Sequence, residues 1–159
     1  MNMIEIERKF LVNSRDYRSL AFSKSHIVQG FLNSNPDRVV RIRIADDKAF
    51  LTVKGRSNSA GTTRFEWEKK IPVHEAELLL ELCEKEILEK IRYYIRLDAH
   101  IIEVDEFLGS NKGLVIAEIE IEKEDDKIEV PSWVGLEVTG DIKYYNSQLS
   151  KSPFKEWKV

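Results

Sequence analysis

Charged residues recur two apart along this chain. Glu5 and Glu7 precede Lys9, and Arg41 pairs with Arg43, Glu66 with Glu68, Lys90 with Arg92, Glu103 with Asp105, and Glu118 with Glu120. Residues i and i+2 of a strand face the same way, so each pair reads as two charges on one face. A single such strand is ordinarily the wet face of an antiparallel sheet. Here the pattern recurs strand after strand, and wet faces also draw on Thr, Ser, Gln and Asn, which suit β structure better than Glu or Lys. If the sheet closes with these faces inward, the lumen gathers Lys9, Arg41, Arg43, Lys54, Lys90 and Arg92 with Glu5, Glu7, Glu66, Glu68, Glu103, Asp105, Glu118 and Glu120. Burying so many charges for mutual pairing alone adds little stability, so a ligand is the better reason to keep them. Forked and pointed cations suit phosphate oxygens. Carboxylates without His or Cys partners suit hard divalent cations such as Mg²⁺ or Mn²⁺. Together they point to a metal–polyphosphate complex, and so many cations exceed what one phosphate needs.

The elements that must hold these residues follow from alternation. Residues 3–12, 26–32, 38–45, 48–56, 63–71, 87–97, 101–108 and 113–122 read as strands. Residues 33–37 and Asp46-Asp47 supply turn chemistry. Helices are expected at 15–22 after Ser14, from Pro72 through the apolar face Val73, Ala76, Leu79, Leu80 and Cys83, and at 142–149. A further short strand is expected at 136–139. The expected fold is mainly β: a closed eight-stranded antiparallel β-barrel tunnel with a few flanking helices, since two or three helices cannot make alternating βαβ units.

Composition excludes several classes. With 159 residues one domain over 1–159 is expected. The chain is 33% charged with a net charge of only −3, and disorder favours high net charge. That balance gives no bulk attraction to nucleic acid. One cysteine, Cys83, excludes an internal disulfide framework and a thiolate zinc site, and fits a cytoplasmic location. No stretch approaches the roughly 20 apolar residues of a membrane helix. The charges of residues 5–9 argue against a signal peptide. His26, His74 and His100 lie far apart, and no glycine motif for nucleotide phosphates is present.

The ordered series is more specific than any one pair. Glu5-Ile6-Glu7-Arg8-Lys9 resembles the ExExK signature of CYTH domains, the triphosphate tunnel metalloenzymes. Arg41-x-Arg43, Thr52-x-Lys54-Gly55, Glu66-x-Glu68, Lys90-x-Arg92, Glu103-x-Asp105 and Glu118-x-Glu120 follow in the family's order. Residues 135–139 with Tyr144 and Asn146 resemble its C-terminal segment. The resemblance implies an eight-stranded tunnel that hydrolyses a triphosphate with a divalent metal. It implies that Lys9, Arg41, Arg43, Lys54, Lys90 and Arg92 clamp the phosphates. The eight carboxylates would divide between metal binding and orienting the cations, with Lys9 and Glu120 catalytic. One departure stands out: the family often carries Gln-Gly-Tyr where this chain has Gln29-Gly30-Phe31. That hydroxyl is missing, and Tyr94 substitutes only if the fold places it nearby.

Inorganic triphosphate is the expected substrate, because no base-recognition element is evident. The alternatives are nucleoside triphosphates, thiamine triphosphate, a class IV-type adenylate cyclase making cyclic AMP, and a non-catalytic polyphosphate- or nucleotide-binding module. Phe65, Trp67 and Tyr93 read as outer-face packing under helices, Cys83 as an inert core thiol, and 122–126 as a solvated loop with Glu122 near the tunnel mouth. Apolar outer faces that the helices do not cover point to a homodimer.

Overall fold

The computed structural model describes residues 2–157; the expectations for Met1, Lys158 and Val159 lie outside them. The strands are β1 (Ile4–Val12), β2 (Ser23–Asn33), β3 (Arg38–Ala45), β4 (Lys48–Gly55), β5 (Thr63–Ile71), β6 (Leu88–Leu97), β7 (His100–Phe107), β8 (Val115–Glu120) and β9 (Val134–Glu137). The helices are α1 (Tyr17–Leu20), α2 (Val73–Leu80) and α3 (Asn146–Leu149). Eight strands close antiparallel in the order β5-β4-β3-β2-β6-β7-β8-β1, with β1 returning to β5. Strand β1 makes the closure by dividing one edge. Ile4 to Ile6 pair with β5, Phe10 and Val12 pair with β9, and the opposite edge pairs Glu7 to Leu11 with β8.

The hairpins follow local chemistry. Two-residue turns after Ala45 and Leu97 place Asp46 and Asp98 at positive φ, a conformation Asp tolerates through its short polar side chain. Pro72 caps α2 from outside, where its missing N–H is no loss. Three expectations shift. The C-terminal helix breaks at Tyr145, whose extended backbone separates a 3₁₀ turn (Ile142–Tyr144) from α3. The short strand begins two residues earlier than expected, because Val134 pairs with Val12. Helix α1 is a single turn, since Ser23 to Ser25 are recruited to pair with β6 despite weak strand propensity.

The barrel has its cores outside its charged lumen. One cluster packs Phe10, Ile95, Ile102, Val104, Ala117 and Ile119 beneath Tyr17 of α1 and Trp133. Another packs Ile42 and Ala49 beneath Ala76 of α2, with Leu79, Leu80 and Cys83 around them. Inside, one end is closed by an apolar layer: Phe31, Val39, Leu88, Phe107 and Ile116 meet Tyr144 and Leu149. Tyr93 does pack under a helix, edge-on to Tyr17 at 5.3 Å. Phe65 does not; it stands 43% exposed on the outer wall, because α2, which follows β5, packs on β2, β3 and β4 instead. Among the described residues no helix is long and apolar enough to cross a membrane.

Candidate active site

Alternation delivers the charged series to one place. A cavity of about 220 Å³ lies above the apolar layer, walled by Glu5, Glu7 and Lys9 of β1, Arg41 and Arg43 of β3, and Lys54 of β4. Glu66 and Glu68 of β5, Lys90 and Arg92 of β6, Glu103 of β7, and Glu118 and Glu120 of β8 complete that set. Of the expected residues only Asp105 is off the wall. It is fully buried behind it.

The cations are held by a graded set of acids. Asp105 accepts from Lys90 Nζ at 2.8 Å, and from Arg92 Nε at 2.7 Å and Nη2 at 2.9 Å. Burial works to raise its pKa, but Arg92 and Lys90 outweigh it and hold the carboxyl below its usual range. Burial lowers the Lys90 ammonium to about 8 against the pull of Asp105. Asn146 of α3 accepts from Lys90 Nζ and from Gln29 Nε2, both at 2.9 Å, which ties the C-terminal segment into the lumen. Glu103 accepts from Arg92 Nη1 at 2.8 Å. Lys54 bridges Glu5 at 2.9 Å and Glu66 at 3.0 Å. Burial, reinforced by Glu5, raises the Glu66 carboxyl to about 7.

Two arginines are less satisfied. Arg41 and Arg43 share Glu68 Oε2 at 3.4 and 3.5 Å, and Thr52 donates to the same oxygen at 2.8 Å. The Nε of each arginine is buried with no acceptor. Burial, then the neighbouring Arg43, lowers Arg41 to about 10. Buried donors without acceptors are costly, so these groups await an anion.

Glu7 of β1 and Glu120 of β8 show the complementary deficit. Glu7 faces Glu120, and Lys9 faces Glu118, in the β1–β8 register. Burial, then Glu118 and Glu5, pushes the Glu7 carboxyl well above its ordinary range. Burial, then Glu5 and Glu103, raises Glu120. Lys9 Nζ lies 3.9 Å from Glu118 Oε1 and donates to the Tyr144 carbonyl at 3.4 Å. Crowded carboxylates with too little positive charge between them suit a divalent cation. Among the described residues no three acids close around such an ion by themselves. A divalent ion held there by one or two carboxylates would draw the rest of its shell from water and phosphate oxygens.

Several wall residues were not anticipated. Arg64 lies two residues before Glu66 on the same face, so the i, i+2 rule alone could have found it. Tyr145, Asn146 and Ser147 arrive from an irregular segment with no period to read. Phe31 does sit on the cavity wall, and Tyr94 does not replace a hydroxyl there. Tyr94 lines a separate pocket at the mouth with Arg43, Phe50 and Arg92. Glu122 also stands outside the cavity, on an outer groove beside Glu103 and Glu120.

A profile of the CYTH domain matches residues 3–151. A protein named inorganic triphosphatase from Acetivibrio thermocellus is 49% identical over 155 residues, 97% of each chain. One of the same name from Nitrosomonas europaea is 35% identical, over 94% of this chain and 99% of its own. A crystal structure of an inorganic triphosphatase superposes with a TM-score of 0.66 at 32% identity, covering 92% of this chain and 97% of that one. The chain belongs to the CYTH domain family.

Proposed function

We propose that this CYTH-domain chain hydrolyses inorganic triphosphate to orthophosphate and pyrophosphate inside the barrel, with Mg²⁺ or Mn²⁺ as cofactor. The observation that carries this reading is the pair of buried, acceptor-less guanidinium Nε groups of Arg41 and Arg43 in a cavity walled by cations. The two relatives that bear the name inorganic triphosphatase support it.

The residues divide the work. Lys9, Arg41, Arg43, Lys54, Lys90 and Arg92 bind the phosphate chain and offset the charge that develops on its oxygens. Asp105 has both oxygens committed to cations, so it orients Lys90 and Arg92. Glu68 does the same for the arginines of β3, and Glu103 for Arg92. Glu5 and Glu66 both bind Lys54 and hold its ammonium at the wall. Glu7, Glu118 and Glu120 are the acids left to hold the divalent ion. When bound, that ion supplies Lewis-acid polarisation of phosphate oxygens and lowers the pKa of water. Glu120, exposed at the cavity wall, orients the attacking water in line with the terminal phosphorus. Lys9 steadies the charge of the phosphates on either side of the breaking bond.

The test is release of phosphate from inorganic triphosphate, ATP and thiamine triphosphate, with each metal and with chelator. Metal-dependent turnover of inorganic triphosphate above the others is expected. Cyclic AMP from ATP would establish the cyclase reading, and tight binding without turnover the binding-module reading, which Phe31 motivates. Exposed Ile4, Phe65 and Ile101 on the outer wall support a homodimer, which sedimentation equilibrium would test.

A further inference from the structure

Most cations of the lumen are committed to carboxylates, but two are held differently. The Arg64 side chain forms no hydrogen bond or ion pair among the described residues, and Lys9 has only a long contact to Glu118 and a 3.4 Å hydrogen bond to the Tyr144 carbonyl. Both stand on one ring. Lys9 Nζ lies 5.4 Å from the centroid of Tyr145, and Arg64 Cζ lies 5.7 Å from it. Both distances fall within the reach of a cation–π attraction. Tyr145 is fixed from behind: it caps α3 with extended backbone, its N–H donates to Ile142 O, and Gln148 and Leu149 N–H donate to its carbonyl. The three side chains line both the cavity and a smaller opening beside it, between residues 57–62 and the turn at Gly140.

We propose that Tyr145 is a positioning residue and Arg64 a further phosphate-binding residue. The ring face gathers Lys9 and Arg64 at the side opening without neutralising them. A carboxylate in that place would have to be displaced before a phosphate could bind; an aromatic face leaves the donors of both cations free. The ring thus raises affinity for the anionic substrate at the β1–β5 side of the lumen, acting through the two cations and touching no reacting atom. This assignment rests on the triphosphatase reading above.

The experiment replaces residue 145 and reads KM and kcat for inorganic triphosphate under saturating divalent metal. Tyr145→Phe, which keeps the ring, is expected to hold KM within about twofold of wild type. Tyr145→Leu is expected to raise KM about tenfold, the scale of losing two partly desolvated cation–π contacts, with kcat changed much less. Arg64→Gln should raise KM comparably, and adding Tyr145→Leu to it should cost less than Tyr145→Leu alone. Should Tyr145→Leu fail to fold, pentafluorophenylalanine at 145 keeps the shape and reverses the ring's electrostatics. It should raise KM as the leucine would, which a packing role would not. A flat KM across the 145 series, or an equal loss in Tyr145→Phe, overturns the proposal while wild-type turnover leaves the triphosphatase reading standing. If the wild type turns over no triphosphate, that reading falls and this one with it.

Discussion

Replacing Asp105 by Asn removes one charge from the most enclosed acid of the barrel and keeps its outline. In the wild type its two oxygens hold Lys90 and Arg92 through three contacts of 2.7 to 2.9 Å. Both cations are nearly as buried as the acid, at 1% and 8% exposure. Removing one member of a buried ion pair costs about 3–5 kcal/mol, because the partner's charge is left uncompensated. Asparagine still offers one acceptor, so about 3 kcal/mol is expected near neutral pH. In a chain of this size that lowers Tm by about 6–12 °C. The loss should also depend on pH. Burial lowers the folded pKa of Lys90 to about 8, below its unfolded value, so the unfolded state binds more protons between those values and stability rises with pH there. Without Asp105, the main force opposing burial is gone and the folded pKa falls further. The variant can then relieve itself by leaving Lys90 neutral, and its deficit should be smaller at pH 9 than at pH 6. Thermal unfolding of both proteins across that range measures this. A variant Tm within about 2 °C of wild type at pH 6 would refute the clamp. A deficit that grows toward pH 9 would refute the part assigned to Lys90.

Glu7→Gln should weaken the apparent affinity for the divalent ion in turnover assays by about tenfold. Without metal its Tm should equal or exceed that of wild type, because Glu7 is crowded by Glu118 and Glu5. Gly61→Ala should lose about 1–3 kcal/mol in thermal unfolding, since Gly61 has φ +76° and an added Cβ would lie 2.3 Å from Gly140 Cα. Glu106→Gln should lower stability by about 1 kcal/mol at pH 7, because Glu106 accepts from Tyr17 and Arg18. Burial tends to raise the Glu106 pKa, but those donors outweigh it and depress the folded value. Its contribution is therefore present above the unfolded carboxylate pKa and lost as pH falls through the folded one. The acid limb of wild-type unfolding should be steeper than that of the variant.

The wall of the site was legible because strand period is rigid. Once residues 38–45 and 63–71 are strands, Arg41 with Arg43 and Glu66 with Glu68 must share a face, and both strands begin and end where alternation placed them. Closure could be inferred only from charge, because the same alternation would suit an open sheet wet on one side. The division of labour among the acids was not legible. Asp105 and Glu7 look alike in sequence, yet the strands beside them set Arg92 and Lys90 against Asp105 and add Glu118 to Glu5 beside Glu7. The places of Tyr145 and Asn146 on the wall were hidden for a different reason, although Asn146 belongs to the family-like C-terminal segment. Both residues reach the lumen from a segment whose backbone alternates between 3₁₀ turn, extended residue and helix, so no periodicity marks the face they present.

The placement of apolar and charged residues explains how the barrel keeps such a lumen at all. Seven cations and seven carboxylates line the cavity, and buried ion pairs of this kind contribute little net stability after desolvation. The free energy of folding must therefore come from elsewhere. It comes from the outer clusters beneath α1 and α2 and from the apolar layer that Tyr144 and Leu149 help to close. Because those cores do not depend on the lumen, single lumen charges that are not doubly clamped can be free to meet a ligand. The near-balance has a second consequence. A bare polyanion entering the cavity would leave the acids of β1 and β8 repelled, and a bare divalent ion would leave the arginines of β3 without acceptors. A metal–phosphate complex satisfies both deficits together. Binding of inorganic triphosphate and of divalent ion should thus be mutually reinforcing, each tightening the other by the same factor. Titrating the wild type with a non-hydrolysable triphosphate analogue and with divalent ion, each in the presence and absence of the other, measures that factor, and a value of one would sink the two-deficit account.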